Sequence, residues 1–573
     1  MLEKEARAHI VRLKNIWEKE CHEKIRIEND QTPTNASGIE LKPVYSPLDI
    51  EGLELKNIGF PGVHPFTRGA APLGYRELPW MMRTGFGYGT GKDTKERWEY
   101  LKKLGMRLHV GREDSESEYP KFNILTDLPH QRGYDADDIE ARGRVGDCGL
   151  SVSTIEDLDL LFGDLPLDKL NITFITFDPT LTLTAMFAVF AQQQGYNISQ
   201  LKMQTPHILY GQWNWDTISF PPENALKMMV ENINFRIKNM PLTLHTSVSG
   251  YNMVQCGATP VQEVAFTIAV AMAIMDACCK VGLDPNEVAS RFWYHAHLGM
   301  DIFEEVSKIR AWRRLWAKTM KERYGCTDPR ALSIFVSSMT GGLSCPAQEP
   351  LNNIIRLTIL TLAGVLAGVD GIWTASYDEA LAIPSKESVQ LAVRTQQILY
   401  HETNIPAVTD PLGGSYYVES LTAEIEKMAS ELITKIEGKG GAFKCWASGW
   451  FRMELERSAN ELQEKLNTGE KVVVGVNKYR LEKDTQKVNV FKHDPSYEQD
   501  AVDRVKHFKA NRDTRQMEMA LEDLSDATEK FLAEWPASCG TLMPSIIKAV
   551  EASATCGEIQ GVLRKKCGYG YTY

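Results

Sequence analysis

The sequence predicts an α/β fold: a TIM (β/α)8 barrel with an N-terminal arm and a helical C-terminal extension. Between residues 60 and 400, short β-type runs alternate with longer helical patterns, which is typical of parallel β/α units. Eight such units indicate a TIM barrel. The predicted strands are Arg83–Gly87, Phe122–Asp127, Asn171–Phe177, Leu201–Thr205, Leu242–Ser249, Arg291–His295, Ala331–Ser338 and Asp370–Ala375.

Residues 1–59 are predicted to form an arm that contacts another subunit. Glu3–Cys21 is a charged helical pattern, whereas Asn29–Ser37 and Pro43–Pro47 are polar and proline-bearing, which favours an extended connector. Residues 60–400 are assigned to the barrel. Its predicted helices include Leu183–Gln194, Glu223–Asn239, Val261–Val281, Ile302–Tyr324 and Leu351–Leu366.

Residues 401–573 are predicted to be mostly helical, with helices near Thr422–Glu437 and Asp500–Thr528. This region is interpreted as packing and docking structure rather than as a catalytic centre.

The predicted strands are unusually rich in hydroxyl side chains, although the interior of a TIM barrel is normally filled with Val, Ile and Leu. Small hydroxylated side chains leave space and offer hydrogen bonds, so this barrel is expected to admit a thin polar ligand along its axis. The alternative is that these residues face the outer helices, or are simply β-favouring residues. They are Thr173, Thr176, Thr243, Thr246, Ser247, Ser249, Ser333, Ser337 and Ser338.

Composition excludes several classes of protein. The 573-residue chain has a net charge of −11, which argues against a nucleic-acid binder. No run approaches ~18 consecutive apolar residues, and the N-terminus lacks the apolar core of a signal peptide, so a cytoplasmic protein without membrane spans is expected. The eleven cysteines form no Cys-x-x-Cys pair and no cluster with zinc-site spacing, so no metal site is predicted.

Several motifs follow one another in a fixed order along the chain. Residues 60–69 read Phe-Pro-Gly-Val-His-Pro-Phe-Thr-Arg-Gly, and residues 127–135 read Asp-Leu-Pro-His-Gln-Arg-Gly-Tyr-Asp. Further runs lie at residues 142–147, 249–253 and 410–416. Together they resemble the barrel subunit of the adenosylcobalamin-dependent acyl-CoA mutases, the family of methylmalonyl-CoA mutase. The resemblance extends over roughly residues 50 to 480.

The resemblance implies a radical carbon-skeleton rearrangement of an acyl-CoA inside a closed barrel that admits the pantetheine arm of CoA. It also implies adenosylcobalamin as the cofactor. The family's cobalamin domain carries Asp-x-His-x-x-Gly, and none of the twelve histidines here lies in that motif. A separate small cobalamin-binding subunit is therefore expected, in a hetero-oligomer that by family analogy is a heterotetramer.

The resemblance also implies residues that contact the cofactor. Glu379 matches a glutamate near the ribose of the adenosyl group, and a carboxylate suits two ribose hydroxyls. The alternative is a glutamate favoured by a helix N-terminus. His130 and Arg132 are expected to face the corrin rim, although Arg132 also suits a structural ion pair. Ala375 ends one predicted strand, Met339 follows another, and both are assigned to the cofactor side.

The acyl side departs from the family pattern. Gly85 falls where methylmalonyl-CoA mutase has a tyrosine, Trp215 where it has the carboxylate-binding arginine, and Asn252 where it has a histidine on the thioester carbonyl. Gly85 is expected to leave room for a bulky group, or else to shift the register and place Phe86 there. Trp215 stacks on an apolar or aromatic group, or packs in the core. Asn252, with the retained Tyr251, is predicted to be the catalytic pair, unless Asn252 only caps a loop.

The CoA side is altered as well, while Arg83 and Arg291 remain as cations. Gln212 and Arg83 are the remaining candidates to bind a substrate carboxylate. Leu78 and Leu242 also replace polar family residues, and Phe292 precedes Trp293 where the family has Leu-Ser. The remaining predicted substrate contacts are Ala71, Leu73, Gln204, Thr205, Arg291 and Trp293.

These observations lead to three hypotheses. The first is the large subunit of a mutase for a bulky aryl- or alkyl-substituted succinyl- or malonyl-type acyl-CoA. The second is a mutase for a hydroxyacyl- or branched acyl-CoA, such as 2-hydroxyisobutyryl- or isobutyryl-CoA. The third belongs to another class: a non-catalytic barrel that binds an acyl-CoA or a partner protein.

Overall fold

The computed structural model describes residues 4–28, 33–106, 108–110, 114–117, 122–205, 218–482 and 486–571. Its centre is a set of eight parallel strands, one at each position where the sequence predicts a strand. The strands are β1 Met81–Arg83, β2 Phe122–Leu125, β3 Asn171–Ile175, β4 Lys202–Gln204, β5 Thr246–Ser249, β6 Phe292–Leu298, β7 Phe335–Thr340 and β8 Gly371–Trp373.

The strands pair in two parallel sheets. One has the order β4-β3-β2 and the other β1-β8-β7-β6-β5. A single parallel bridge between Phe86 and Ile124 connects β1 to β2. The combined order is that of consecutive barrel strands, and among the described residues β4 and β5 are the neighbours that share no ladder. The α/β class with parallel strands is confirmed.

Each strand is followed by a long helix, and these helices form the outer layer. They are α1 Gly91–Lys103, α2 Ile155–Phe162, α3 Thr180–Gln193, α4 Pro222–Asn239, α5 Pro260–Lys280, α6 Ile302–Tyr324, α7 Asn352–Leu366 and α8 Lys386–His401. Shorter helices lie between them at Leu128–Gln131, Gly250–Gln255, Pro285–Ala289 and Pro329–Leu332.

Helix α5 is long and apolar enough to suit a membrane span by composition alone. In the fold, 83% of its most apolar 18-residue window is buried, which is equally typical of the core helix of a globular domain. Thr259 caps this helix through a reciprocal pair of hydrogen bonds with Gln262, and Pro260 occupies its first turn.

Some predicted strand boundaries are wrong. The strand predicted at Ala331–Ser338 begins only at Phe335, because Asp328 caps a short helix over Pro329–Leu332. The side chain of Asp328 accepts a hydrogen bond from the backbone N–H of Arg330 at 2.8 Å. Such a capped turn overrides the local β propensity. The strand predicted over Leu242–Ser249 likewise begins at Thr246, and the one predicted over Arg83–Gly87 lies at Met81–Arg83, so it shares only Arg83 with the prediction.

The N-terminal arm begins with the helix Lys4–Glu28, longer than predicted. The connector predicted at Asn29–Ser37 lies partly outside the described residues. Its end is tied to the barrel, because the backbone N–H groups of Ala36 and Ser37 donate to the carboxylate of Glu304 at 3.1 and 3.0 Å. Glu304 is buried near the start of α6.

The C-terminal extension wraps the helical layer. Helix Tyr416–Gly438 packs on α6 and α5, and Arg310 and Arg314 of α6 form ion pairs with its acidic residues. The single helix predicted over Asp500–Thr528 is wrong: Asp513 caps a new helix and divides the segment. The helices of this region are Tyr416–Gly438, Ala442–Ala447, Trp450–Thr468, Ser496–Asn511, Thr514–Ala533, Leu542–Glu551 and Cys556–Cys567.

Candidate active site

The strand register determines which side chains point to the barrel axis, because neighbours in parallel ladders share a face and successive residues alternate. Arg83 donates to Asn123 Oδ1 at 3.1 Å and to the hydroxyl of Ser337. Its guanidinium also lies over the indole of Trp293, 5.3 Å from the ring centroid. These four residues from β1, β2, β7 and β6 therefore meet in the middle of the barrel, and Arg83 and Trp293 are both about 1% exposed.

The prediction that hydroxyl side chains of the strands line the axis is confirmed for only some of these residues. Thr173 faces inward and donates to Gln204 Oε1 at 3.3 Å, and Ser247 lies beside Trp293 in the ladder. Thr246 and Ser338 occupy the alternate positions, which face the helical layer. Small polar groups thus share the axis with an arginine and a tryptophan.

A cavity of about 490 Å³ opens at the amino ends of the strands. Ala71, Arg291 and Gln204 line it, as do Leu78 and Leu242, which were also singled out on the CoA side. Leu73 is 55% exposed outside this lining. The cavity is lined by further cationic side chains from Arg68, Lys202, Arg313 and Arg330, and by acidic ones from Asp284, Glu287, Asp328, Asp370 and Asp410. Its length and its cationic groups suit a long ligand that carries anionic groups at one end.

Thr205 does not face the axis. Its hydroxyl accepts a hydrogen bond at 2.5 Å from Arg236 of α4, which also donates to Thr184 of α3. Thr205 therefore belongs to the helical layer, and its prediction as a substrate contact is wrong. The reason is the period-2 alternation that places Gln204 inward and Thr205 outward. Gln212 and Trp215 lie outside the described residues.

The carboxyl ends of the parallel strands form a second mouth, at the opposite end from this cavity. Tyr251 and Asn252 lie here on the short helix Gly250–Gln255, directly after β5. Asn252 Oδ1 accepts a hydrogen bond from Ser249 at 2.5 Å, and the Ser249 hydroxyl accepts from the Asn252 backbone N–H at 3.3 Å. Asn252 therefore takes part in a helix cap and presents its amide nitrogen as a donor.

Tyr251 lies near His297 and Glu379. Its ring centroid lies 6.0 Å from that of His297, at the end of β6, with the planes tilted by 31°. Burial, and then the nearby Glu379 carboxylate, raise the pKa of Tyr251 far above its usual value. Tyr251 is therefore a neutral phenol at physiological pH.

Glu379 is exposed to solvent by residue, while its carboxyl group is largely desolvated by the surrounding protein. This desolvation, with a contribution from Asp378, raises the pKa of Glu379 to about 7. A Cβ added to Gly342 would lie 3.9 Å from Glu379 Cγ, so this glycine faces the carboxylate side chain directly. Ala375, buried nearby, donates its backbone N–H to Thr340 Oγ1 at 2.7 Å. Met339 is half-buried and pairs with both Trp373 and His297 in the ladders.

His130 lies at the same end of the strands, on the short helix Leu128–Gln131 after β2. Its Nδ1 lies 2.6 Å from the Val152 carbonyl oxygen, and its buried Nε2 has no hydrogen-bond partner among the described residues. Burial lowers the pKa of His130 to about 4, so the ring is neutral. Arg132 is half-buried and its carbonyl accepts hydrogen bonds from Arg564 at 3.0 Å and Tyr569 at 3.3 Å.

The room expected at Gly85 is filled. A Cβ on Gly85 would lie 1.7 Å from Cη2 of Trp373 and 2.6 Å from Cδ1 of Leu125. The missing side chain is therefore replaced in space by an indole from β8, and the expectation of an open pocket at Gly85 is wrong. Phe86 does not take the position either: it is buried in the outer core against Phe122.

Two residues at this mouth escaped the sequence analysis: His297 and Trp373. The predicted strand Arg291–His295 stopped two residues short of His297. Continuing its alternation from Trp293 would have placed His297 on the axis. Trp373 lay within a predicted strand, but its contact with Gly85 depends on the pairing of β1 with β8, which no local pattern encodes.

The mouth suits adenosylcobalamin in two respects. His130 presents a buried, unpartnered Nε2, and the glycines Gly341 and Gly342 leave the surface beside Glu379 free of side chains. A carboxylate and an imidazole can bind ribose hydroxyls and amide side chains. Within the described residues, no group of three or more His, Cys, Asp or Glu side chains is arranged to hold a metal ion.

Comparison with known proteins places this geometry in context. A family model described as methylmalonyl-CoA mutase matches residues 34–569. The chain is 32% identical over 516 residues to the 2-hydroxyisobutanoyl-CoA mutase large subunit of Aquincola tertiaricarbonis, covering 90% of this chain and 88% of that protein. It is 32% identical over 558 residues to methylmalonyl-CoA mutase of Rhizobium meliloti, covering 96% and 75% of the two chains. With the mitochondrial methylmalonyl-CoA mutase of Bos taurus it shares 33% identity over 533 residues, covering 93% and 68%.

Proposed function

The chain belongs to the methylmalonyl-CoA mutase family, and we propose that it is the large, substrate-binding subunit of a cobalamin-dependent acyl-CoA mutase. The family is cobalamin-dependent and its methylmalonyl-CoA mutases are isomerases. The observation that carries the proposal is the family match over residues 34–569, which includes both mouths of the barrel. The cavity at the amino ends, with its arginine and lysine side chains, suits the nucleotide end of CoA, and the mouth with Tyr251 and Glu379 suits the reacting end.

The proposed substrate is an acyl-CoA without a second carboxylate, of the hydroxyacyl or branched type, such as 2-hydroxyisobutyryl- or isobutyryl-CoA. Two observations support this, one from the structure and one from the sequence. Trp373 fills the space in front of Gly85, which leaves less room for a bulky acyl chain. Moreover, Trp215 stands where the family's carboxylate-binding arginine is expected, and an indole cannot pair with a carboxylate.

A second candidate substrate is the bulky aryl- or alkyl-substituted succinyl- or malonyl-type acyl-CoA. The aromatic character of the axis favours it, because Trp293 and Trp373 offer indole faces on which an aryl group stacks. Its carboxylate would need a cation, and Arg83 is the candidate at mid-axis. Since Arg83 already donates to Asn123 and Ser337, this candidate ranks second.

We propose adenosylcobalamin as the cofactor, which supplies the radical that begins such rearrangements when bound. Glu379 would accept hydrogen bonds from the ribose, while His130 and Arg132 would face the corrin and Ala375 and Met339 would flank the adenosyl group. The axial ligand would come from a separate small cobalamin-binding subunit, in a cytoplasmic hetero-oligomer. The relative named as a large subunit supports such a partner. Tyr251 and Asn252 would orient the thioester and help to exclude water.

We also propose that the eight strands close into one TIM barrel, with β4 beside β5. The strand order and the bridge between Phe86 and Ile124 support closure, since they leave one junction to complete. A closed barrel protects radical intermediates from water and oxygen. A crystal structure of the reconstituted complex with a non-reacting acyl-CoA tests it: a continuous ladder between β4 and β5 is expected, and an open junction contradicts closure.

The function is tested by reconstituting the chain anaerobically with its partner subunit and adenosylcobalamin, followed by a panel of branched, hydroxylated and aryl-substituted acyl-CoAs. Electron paramagnetic resonance and product analysis are the measurements. A coupled cob(II)alamin–organic radical signal with a hydroxyacyl- or branched acyl-CoA is expected. A signal only with aryl- or alkylsuccinyl-CoA supports the second candidate. Failure to bind the cofactor favours a non-catalytic acyl-CoA or partner-binding barrel.

A further inference from the structure

His297 has an unusual position at the reacting mouth. It lies near the end of β6, and the alternation from Trp293 through His295 directs its side chain to the axis. Its side chain is buried, with the residue 6% exposed, and its Nε2 has no hydrogen-bond partner among the described residues. Leaving a buried polar nitrogen unpaired costs about 1–3 kcal/mol, so such an atom calls for an explanation.

The surroundings of His297 are shaped to the imidazole. A Cβ added to Gly341, the first residue after β7, would lie 2.0 Å from His297 Nε2. Only glycine at residue 341 therefore lets the imidazole occupy its place, with Nε2 buried against the glycine backbone. The ring of Tyr251 lies 6.0 Å from the imidazole between centroids. His297 is thus held near the carboxyl ends of the strands, beside a segment without a side chain and close to a neutral phenol.

The backbone of His297 is fixed from below by a buried ionic cluster. Its N–H donates to Glu263 Oε1 at 2.7 Å, and its carbonyl accepts from the Lys308 ammonium at 2.7 Å. Lys308 also forms ion pairs with Glu263 at 2.6 Å and Glu305 at 2.5 Å. Lys308 and Glu263 are fully buried, and Glu305 is almost so. The imidazole is therefore held on a rigid support rather than on a mobile loop.

This environment keeps the imidazole neutral. Burial, and then the positive charges of Lys308 and Lys471, lower the pKa of His297 to about 3. A neutral imidazole with a free Nε2 donates or accepts one hydrogen bond, according to its tautomer. The ionic cluster beneath His297 contains two carboxyl groups and one ammonium group, so it provides no excess positive charge that would attract an anionic group. The partner of Nε2 is therefore expected to be uncharged.

We propose that His297 is a catalytic residue whose Nε2–H donates a hydrogen bond to the thioester carbonyl oxygen of the acyl-CoA. The inference rests on the function proposed above. A neutral donor in a water-poor site polarises a carbonyl without giving up its proton, and it gains strength as negative charge develops on the oxygen. Gly341 is then the positioning residue that makes room for the donor, and Asn252, already tied to Ser249, assists rather than leads.

The test uses the full chain with its partner subunit in the absence of adenosylcobalamin, so that no turnover occurs. The probes are isobutyryl-CoA and 2-hydroxyisobutyryl-CoA, isotope-labelled at the thioester carbonyl carbon, and the readout is the carbonyl stretch in infrared difference spectra. In the wild type the stretch is expected at lower frequency than in water. His297→Phe is expected to lose the shift, His297→Gln to keep part of it, and Gly341→Ala to lose it although the histidine is present.

His401→Gln is the matched control, because His401 is exposed at the end of α8, and it should leave the shift unchanged. Thermal unfolding of each variant shows that it is folded. With the cofactor restored, His297→Phe should lower kcat about a hundredfold and change KM less. An unchanged carbonyl stretch in folded His297→Phe overturns the role of His297 alone. If no acyl-CoA binds even the wild type, the proposed function fails as well, and the two failures are thereby distinguished.

Discussion

The indole of Trp373 occupies the space that a side chain at Gly85 would need, with Cη2 only 1.7 Å from the position of a Gly85 Cβ. The two residues come from β8 and from the segment just after β1, and the pairing of Arg83 with Trp373 sets them side by side. Trp373 therefore supplies an aromatic wall at this mouth, in the space where a side chain on Gly85 would lie.

Gly85→Ala is therefore expected to overpack the mouth. Displacing the indole by more than an ångström should lower the free energy of unfolding by about 1–3 kcal/mol. Combining Gly85→Ala with Trp373→Ala should remove the conflict, so the two effects should be strongly non-additive. Urea denaturation of both single variants and the double variant measures this coupling. Additive effects would show that the two side-chain positions do not compete for the same space.

Trp293→Ser tests whether the middle of the barrel limits access for CoA. Trp293 and Arg83 meet at mid-axis, on the carboxyl side of the cavity, so the pantetheine arm must pass them to reach Tyr251. Removing a fully buried indole should cost about 3–5 kcal/mol of stability. Even so, acyl-CoA binding measured by titration calorimetry is expected to become tighter, because less of the interior has to be displaced.

Trp312→Ser is the matched control for Trp293→Ser. Trp312 is also fully buried, but it lies on α6 and packs against Tyr294 on the outer face of β6. It should cost similar stability without improving acyl-CoA binding. Weaker binding by folded Trp293→Ser than by Trp312→Ser would mean that Trp293 contacts the ligand instead of obstructing it.

The sequence analysis identified all eight strands and the parallel α/β class, because each strand is a short β-type run between turn signals and a helical pattern. Boundaries were less reliable where a side-chain cap competed with β propensity, as Asp328 does before β7. The closure between β4 and β5 could not be read from either strand alone, because ladders are long-range pairings. The division of the C-terminal helices at Asp513 was visible in principle as a capping signal within an otherwise helical pattern.

Residues of the candidate site could be predicted where a sequence motif marked them, but not where their position depends on the register between strands. Tyr251 and Glu379 were found from motifs and lie at one mouth of the barrel. The prediction for Thr205 was wrong because a motif indicates that a residue lies near the site but does not show which face of the strand carries its side chain. His297 and Gly341 approach each other across the ladder of β6 and β7, and the fit of one to the other becomes visible only when both backbones are in place.

Asp178→Asn should reduce the change in the free energy of unfolding with pH. Tyr569 and Ser219 donate to the buried Asp178 carboxyl at 2.7 and 2.8 Å, joining the end of the C-terminal extension to the turn after β3. Burial raises the pKa of Asp178 to about 7, against the opposing effects of these hydrogen bonds and of Arg564 and Arg132. In the unfolded chain the pKa of aspartate is about 3.9.

Between these two pKa values the native state therefore binds the proton that the unfolded state has released. By linkage, the contribution of Asp178 to stability is present below about pH 4 and is lost as the pH rises to about 7. Asparagine retains the acceptor oxygen but carries no titrating proton, so the decline should be smaller in Asp178→Asn. Urea denaturation at several pH values from about 4 to 8 measures it. An identical slope in wild type and variant would contradict the raised pKa.

Cofactor affinity should depend on the ionisation of Glu379. Its pKa is raised to about 7 by the surrounding protein and by Asp378, so the carboxyl is protonated on the acid side and becomes a carboxylate acceptor as the pH rises through about 7. If the carboxylate accepts hydrogen bonds from the ribose hydroxyls, the affinity of the reconstituted complex for adenosylcobalamin should increase over that range and level off above about pH 8.

The variant Glu379→Gln should bind the cofactor more weakly at high pH and lose this pH dependence. The control is Glu387→Gln, at an exposed residue at the start of α8, which should behave like the wild type. Equilibrium titration followed by absorbance measures the affinity. A pH dependence that persists in Glu379→Gln would assign the titration to another group, with Asp378, whose pKa is also raised, as the next residue to replace.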